Sequence, residues 1–188
     1  MPAFDQLILT TDRLRLRPYV ASDAEALFSI YSDVRVMRYW SYPPWPTIDK
    51  AHEMIAQDAT ALAAGDHLRL GLETRGEARL IGHCSLFHLN AQCQRAEIGY
   101  GLSFDAWGHG YMHEALTAVL SYGFAELALN RVEADIDPRN AVSAKTLERL
   151  GFQREGFLRE RWVVNGEVSD SGLYGLLRRD WFARTDVA

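Results

Sequence analysis

Residues 107–116, with the sequence WGHGYMHEAL, place two glycines in a short turn directly before a segment of apolar residues at helical spacing. Glycine takes positive φ without steric cost and lets the backbone come close to a ligand, so Gly108 and Gly110 favour a tight turn. The first turn of the helix that follows would leave unpaired N–H groups and a partial positive charge facing an anion. A bare Gly-x-Gly pair is about as often a plain strand-to-helix turn, so the flanking segments must decide whether this turn cradles a pyrophosphate.

Residues 95–104 alternate in part like a strand but carry Gly99 and Gly101 in their second half. Glycine weakens a strand, so this half predicts either a bulge or a place where a ligand lies against bare backbone. On the other side of the turn, residues 110–127 repeat apolar side chains at helical spacing and predict a helix with one buried face. The order is strand, glycine turn, helix, which favours the phosphate cradle.

Two other ligand sites could explain the same residues, and both are rejected. His109 and His113 are four residues apart, as in some zinc sites, but Glu114 is not placed as in His-Glu-x-x-His and no third ligand is recognisable by spacing, so no metal is predicted. A dinucleotide-binding fold would need Gly-x-Gly-x-x-Gly after a parallel strand. The flanking segments indicate antiparallel hairpins instead.

The rest of the chain predicts a mixed α/β fold. A helix is expected over 22–32, with Ser22 as its N-cap and Glu25 completing a capping box. The other predicted elements are strands within 7–19 and at 131–137, helices at 47–64 and 140–150, a hairpin of 67–74 with 78–89, and a closing hairpin of 152–164 with 167–178 around Asn165-Gly166.

Composition narrows the class of protein. A chain of 188 residues that is 48% hydrophobic can bury one sizeable core, which predicts a single domain over 1–188. A net charge of −5, without a basic cluster interleaved with aromatics, argues against a nucleic-acid partner. Neither a signal peptide nor an apolar stretch long enough to span a bilayer is present, so a cytoplasmic protein without membrane contact is expected. Cys84 and Cys93 are too few for a disulfide framework and are expected to be buried free thiols.

Three separated pieces of the chain together resemble the GNAT superfamily of acyl-CoA N-acyltransferases. They are the strand Glu97-Ile98-Gly99-Tyr100, the turn at 107–111, and Asn140-Ala141-Val142-Ser143 leading to Leu150-Gly151-Phe152. Their order and spacing match the family, and the likeness extends over roughly residues 7 to 182. Within the family the chain is similar to the branch of ribosomal-protein N-terminal acetyltransferases. It departs from the pyrophosphate signature at Trp107, where Gln or Arg is usual, and at Met112, where a small residue is usual.

The resemblance implies a fold, a co-substrate and a reaction. The fold would be a mixed, mostly antiparallel central sheet flanked by helices, with a splay between the fourth and fifth strands. Acetyl-CoA would donate its acetyl group to a primary amine, with a protein N-terminal α-amine as the favoured acceptor. Acetylation of a small-molecule amine such as a polyamine, amino acid or antibiotic is the alternative, as is a non-catalytic acyl-CoA sensor, and a homodimer is left open. The residues implied to bind the coenzyme are Gly101, Leu102, Gly108, His109, Gly110, Tyr111, Met112, His113 and Asn140.

Acyl transfer to an amine needs a general base, because a protonated amine cannot attack a thioester. Glu97 is the first candidate, with an ion pair to Arg95 as its structural alternative, and Asp135 is the rival. By resemblance, Ser143 matches the serine proposed to give a proton to the CoA sulfur, since Leu147 stands where other branches carry a tyrosine. Asn140 also has a plain explanation as a helix N-cap.

An aromatic loop lies between the first two predicted helices. Three prolines within 39–46 forbid regular structure, so Tyr39, Trp40, Tyr42 and Trp45 sit on a stiff loop. Such a loop is either a lid over the core or a wall of a ligand pocket. The resemblance favours the wall, which makes Tyr39, Trp40 and Trp45 candidates for acceptor binding.

Overall fold

The computed structural model describes residues 2–185 and contains one mixed sheet. Within these residues the strands are β1 (Leu9–Thr10), β2 (Leu14–Arg17), β3 (Leu68–Thr74), β4 (Leu80–Asn90), β5 (Arg95–Leu102), β6 (Arg131–Ile136), β7 (Gln153–Val164) and β8 (Glu167–Leu177). Their order across the sheet is β1-β2-β3-β4-β5-β6-β8-β7. Every neighbouring pair is antiparallel except β5 with β6. The predicted mixed, mostly antiparallel sheet is confirmed.

Helices cover the two faces of this sheet. They are α1 (Ala24–Ser32), α2 (Val34–Met37), α3 (Asp49–Ala64), α4 (Tyr111–Ala125), α5 (Ala141–Arg149) and α6 (Arg178–Thr185). Successive strand residues point to opposite faces, so Leu80 packs with α1 and α2 whereas Ile81 packs with α4. The result is two buried clusters, one on each side of the sheet. None of the helices among residues 2–185 is both long enough and apolar enough to cross a membrane.

The parallel pair of strands separates after three residues. Arg95, Ala96 and Glu97 of β5 pair with residues 131–133 of β6, and the pairing then ends. Beyond that point β5 continues to pair with β4 as far as Leu102, while β6 continues to pair with β8 as far as Ile136. This separation is the predicted splay. Because β1 is a short strand that adds one to the predicted count, the predicted fourth and fifth strands are β5 and β6.

Several local predictions are confirmed and others are wrong. The predicted helix end before Gly65, strand end before Pro138 and hairpin turn at Asn165-Gly166 are confirmed to within a few residues. Ser22 does not cap α1: residues 21–23 form a short 3-10 turn, and the Asp23 carboxylate instead accepts the Val20 N–H at 2.8 Å. The glycines of β5 do not create a bulge, since the β4–β5 register is regular from Glu97 to Leu102.

The cysteines and the chain end also differ from expectation. Both thiols are free, but only Cys84 is buried, and Cys93 is exposed on the loop between β4 and β5. Burial raises the pKa of the Cys84 thiol, so it is inert. The final helix α6 had no sequence prediction.

A network of hydrogen bonds ties the start of the chain to the glycine turn. The Glu114 carboxylate, in the first turn of α4, accepts from the Thr11 hydroxyl, from the Arg13 backbone N–H at 2.9 Å and from Arg13 Nε at 2.6 Å. Arg13 also donates to the His109 carbonyl oxygen at 2.8 Å. The β1–β2 segment therefore holds the turn against the helix that it opens.

We expect Glu114→Gln to lower the free energy of unfolding by about 1 kcal/mol, because a charge-assisted pair with half-exposed Arg13 is lost while other hydrogen bonds survive. Burial opposes ionisation of Glu114, but the bonds from Thr11 and Arg13 outweigh it and lower the carboxyl pKa. A lowered folded-state pKa contributes stability above the unfolded pKa that is lost as pH falls through the folded pKa. Urea unfolding should therefore show a smaller acid loss in the variant than in the wild type. Glu148→Gln, at an exposed position of α5, is the matched control; equal losses in both variants would contradict the network.

Candidate active site

A cleft of ≈ 800 Å³ opens where β5 and β6 separate. One wall is the aromatic loop and the other is the β7–β8 hairpin, which contributes Leu158 and Trp162. The cleft brings together residues that are far apart in the chain. The predicted site residues that line it are Tyr39, Trp40, Glu97, Asp135, Asn140 and Ser143.

Glu97 lies at the last residue of β5 that still pairs with β6. Its carboxylate contacts His88 Nδ1 at 3.1 Å, and its side chain is 30% exposed. The predicted alternative partner, Arg95, is engaged elsewhere, donating to Glu133 at 2.8 Å. His88 itself has a φ of 50° at the irregular end of the β4–β5 pairing, so a strained backbone aims its ring at Glu97. Glu97 thus stands at the splay as a carboxylate with a histidine, not an arginine, as its partner.

The other carboxylates of the cleft are held by arginines to different degrees. Glu133 accepts from both Arg95 and Arg131 at 2.8 Å, and Asp137 forms an ion pair with Arg139 at 2.6 Å. The Asp135 carboxylate makes a longer contact, with Oδ2 3.8 Å from Arg161 Nε. Glu97 and Asp135 are therefore the two carboxylates of the cleft lining with the weakest cationic partners.

Asn140 caps α5, as one of the two predicted roles requires. Its side-chain oxygen accepts the Ser143 backbone N–H at 3.1 Å. The Ser143 hydroxyl is not needed for this cap and instead lies 2.7 Å from the Tyr100 hydroxyl. Both Tyr100 and Ser143 line the cleft, so two neutral hydroxyls meet on its floor.

The glycines of β5 accommodate the aromatic wall. A Cβ at Gly101 would lie 2.9 Å from a ring carbon of Trp40 and 3.0 Å from Cε1 of His83, so only glycine fits there. His83 is buried, and burial followed by the nearby Arg69 charge lowers its pKa to about 3. At this end of the cleft the aromatic rings and the uncharged His83 imidazole therefore lie beside the Arg69 guanidinium, which is paired with Asp58 at 2.8 Å.

Trp45 lies apart from the cleft lining. Its ring stacks on Tyr31 with centroids 4.2 Å apart, beneath the loop and in the cluster formed by α1 and α2. Tyr39 lies on the other side of the loop, where the Arg38 and Arg139 guanidinium groups flank its ring. The loop thus supplies both a cleft wall through Trp40 and a core anchor through Trp45.

The glycine turn has the backbone that the sequence predicts. Gly108 and Gly110 have φ of 77° and 78°, and Gly110 is the N-cap of α4 without any side-chain cap. The first-turn N–H groups of α4 therefore face outward without a capping side chain. Trp107, which departs from the related pattern, donates its indole N–H to the Leu102 carbonyl at 2.9 Å and ties the turn to the end of β5.

The turn does not line the main cleft. His113 instead borders a second, open depression with Thr11, Arg13 and Glu114. His109 and Tyr111 stack with ring centroids 5.9 Å apart. Coenzyme contacts by Gly101, Leu102, Met112 and the other turn residues stay predictions. Within residues 2–185, no group of three or more His, Cys, Asp or Glu side chains is arranged to hold a metal ion.

The structure adds Tyr100, His88 and His83 to the residues that the sequence singled out. All three line the cleft. Tyr100 belongs to the strand motif, but its partner Ser143 is 43 residues away, so no local spacing links them. His88 and Glu97 share no motif, and only the turn between β4 and β5 brings them together.

The comparisons with known proteins agree on one family. A model described as an acetyltransferase (GNAT) domain matches residues 13–153. The chain is 35% identical to the uncharacterized N-acetyltransferase p20 of Bacillus licheniformis, over 92% of this chain and 97% of that protein. It is 29% identical to the ribosomal protein uS5-alanine N-acetyltransferase of Escherichia coli, over 92% of each. A solved structure of spermidine N-acetyltransferase from Vibrio cholerae, in complex with CoA and spermine, has the same fold with a TM-score of 0.81 at 22% identity, covering 92% of this chain and 99% of that chain.

Gly110→Val should weaken acetyl-CoA binding by about tenfold or more, because a β-branched residue at a φ of 78° costs about 1–3 kcal/mol and displaces the turn. Calorimetric titration measures the affinity. Gly76→Val is the matched control, since Gly76 lies in a hairpin turn with open space around it and without positive φ. Unchanged affinity in a folded Gly110→Val protein would remove the assigned role of the turn.

Trp40→Ala and Trp45→Ala should have different effects. Trp40→Ala should raise the acceptor's Michaelis constant about fivefold and change the ranking of amines, because it removes an aromatic wall of the cleft. Trp45→Ala should lower the free energy of unfolding by about 2–3 kcal/mol, because it removes the ring stacked on Tyr31. Steady-state kinetics and urea unfolding of both variants test this pair. A stability loss in Trp40→Ala with a fixed ranking of amines would assign that ring to the core.

Proposed function

The chain belongs to the GNAT acetyltransferase family, and we propose that it acetylates the α-amine of a protein N-terminus. The observation that carries this proposal is the cleft at the splay, which is open to an acceptor and holds two carboxylates without strong cationic partners. GNAT acetyltransferases take their acetyl group from acetyl-CoA.

The coenzyme is proposed to lie along the unpaired edge of β5. Residues 98–102 have a strand partner on the β4 side but none on the β6 side, so their backbone groups are available to an extended ligand. The amide-bearing pantetheine arm has the donors and acceptors to pair with them. At the far end, the uncapped first turn of α4 suits the negatively charged pyrophosphate.

The reaction needs one proton removed and one leaving group stabilised. The free amine attacks the thioester carbonyl carbon, so that a C–N bond forms and the C–S bond breaks with its electron pair on sulfur. Glu97 accepts the proton that the nitrogen loses, directly or through one water. Asp135 is the alternative base on the facing strand.

The charges of the cleft favour an acceptor with one positive charge. Glu133 and Asp137 are neutralised by arginines, as is Glu155, which pairs with Arg131. A polyamine with three or four charges would find only Glu97 and Asp135 without strong partners. The similarity to the uS5-alanine N-acetyltransferase supports the N-terminal α-amine as acceptor. The spermidine N-acetyltransferase structure, at 22% identity, supports the fold alone.

A thiol-release assay with acetyl-CoA should separate the three functions. The panel comprises peptides with free N-terminal alanine, serine or methionine, the same peptides blocked at the N-terminus, spermidine, spermine and free amino acids. We expect turnover on free peptides and none on blocked ones. Faster turnover on spermidine or another small amine would replace the proposed acceptor, and coenzyme binding without turnover on any acceptor would support a sensor.

Glu97→Gln should lower kcat/KM by about tenfold or more at neutral pH and less at alkaline pH, where the amine is already deprotonated. Acetyl-CoA affinity should change little, because the side chain lies at the acceptor side of the splay. Asp135→Asn, measured in parallel over the same pH range, is the comparison. A pH–rate profile like that of the wild type in Glu97→Gln, with the deficit in Asp135→Asn, would move the base to Asp135.

A further inference from the structure

Two hydroxyl groups meet on the lining of the cleft, and neither takes part in the helix cap beside them. Tyr100 Oη and Ser143 Oγ are 2.7 Å apart, joining β5 to the first turn of α5. The Ser143 backbone N–H is already satisfied by Asn140, so the serine hydroxyl is not part of the helix cap. The Tyr100 hydroxyl also lies 3.5 Å from the Ser143 carbonyl oxygen, which is a much weaker contact.

The place of this pair is defined by the splay. Tyr100 belongs to the part of β5 that has lost β6 as its neighbour, and Ser143 follows the cap residue Asn140 on the far side of the opening. Both residues line the cleft, and Ser143 is 9% exposed. The pair therefore lies at the gap between the strands, which is where the proposed function puts the thioester.

The direction of the hydrogen bond follows from the chemistry of the two groups. Either hydroxyl can donate in this contact, and the greater donor strength of a phenol favours Tyr100 as the donor and Ser143 Oγ as the acceptor. Burial, only partly offset by the Ser143 contact, raises the pKa of Tyr100 to about 12, so the phenol keeps its proton over the working range of pH. The hydrogen of the Ser143 hydroxyl is then left to point elsewhere. A hydroxyl that accepts one hydrogen bond also donates a stronger one.

We propose that Tyr100 is a positioning residue for acetyl transfer: it donates to Ser143 Oγ and thereby directs the serine hydrogen at the CoA sulfur as that sulfur leaves. This inference rests on the proposed function. As the C–N bond forms and the C–S bond breaks, the electron pair stays on sulfur, and the proton from the amine goes to the base. The Ser143 hydrogen bond stabilises the thiolate, and neither hydroxyl loses its proton. The thiolate takes a proton from solvent after it departs.

Single-turnover kinetics of Tyr100→Phe, Ser143→Ala and the double variant test the proposal. Each single variant should slow the chemical step about three- to tenfold with little change in acetyl-CoA affinity, which is the size expected for one hydrogen bond. Because Tyr100 acts through Ser143, Tyr100→Phe should cost nothing more in the Ser143→Ala background. Tyr122→Phe, which removes a hydroxyl on α4 away from the cleft lining, should leave the rate unchanged.

The leaving group supplies a measurement that a purely structural role would not move. With the selenoester analogue of acetyl-CoA the departing atom is a weaker base and needs less stabilisation, so the deficits of Tyr100→Phe and Ser143→Ala should shrink together. If Tyr100→Phe fails to fold, the rates of Ser143→Ala with acetyl-CoA and with its selenoester analogue test the same hydrogen bond from its other end. Rate losses that add up in the double variant, or rate losses that are equal with acetyl-CoA and with its selenoester analogue, would overturn the proposal. If the wild type transfers acetyl groups and Tyr100→Phe does so at the same rate, this inference alone is overturned. If the wild type transfers acetyl groups to no acceptor, the proposed function is overturned.

Discussion

The end of pairing between β5 and β6 is the constraint on which the rest of the site depends. Only three residues of β5 pair with β6, after which β5 remains paired with β4 and β6 remains paired with β8. Unpaired backbone groups are costly when buried, so such an opening persists only where solvent or a ligand can satisfy them. In this protein the opening is a cleft with Glu97 and Tyr100 on one strand and Asp135 on the other, and the Tyr100 hydroxyl contacts Ser143 of α5.

The two faces of the sheet keep this opening in place. On one face α4 packs against the leucine-rich sides of β2 to β4, and on the other α1, α2 and α3 pack with the aromatic loop. Gly101 connects the two requirements, because its missing side chain lets Trp40 and His83 close over the same strand whose other edge is open. A larger residue at position 101 would displace the wall formed by Trp40 and His83, and this displacement would narrow the cleft.

The carboxylates of the cleft differ in the cationic partners that they contact. Arginines hold Glu133, Asp137 and Glu155 at hydrogen-bonding distance. The Glu97 carboxylate pairs with His88 at 3.1 Å, and the Asp135 carboxylate lies 3.8 Å from the Arg161 guanidinium. The same sheet therefore supplies structural ion pairs and candidate bases from neighbouring positions, and the difference is the identity of the partner across the strand.

The sequence by itself determined the elements and the turn, because these depend on neighbours in the chain. Helical spacing, the hairpin dipeptide Asn165-Gly166 and the glycines at 108 and 110 act through local backbone sterics, and the predicted positive φ and cap of Asn140 are present. The Ser22 cap was wrong because residues 21–23 form a 3-10 turn, which places Asp23 rather than Ser22 at the N-cap position of α1. Tertiary structure alone decided the partners: His88 for Glu97, Tyr100 for Ser143, Glu114 for Arg13, and Tyr31 for Trp45. These contacts join side chains whose separation in the chain carries no periodic signal, so they follow only from how the strands, helices and loops pack together.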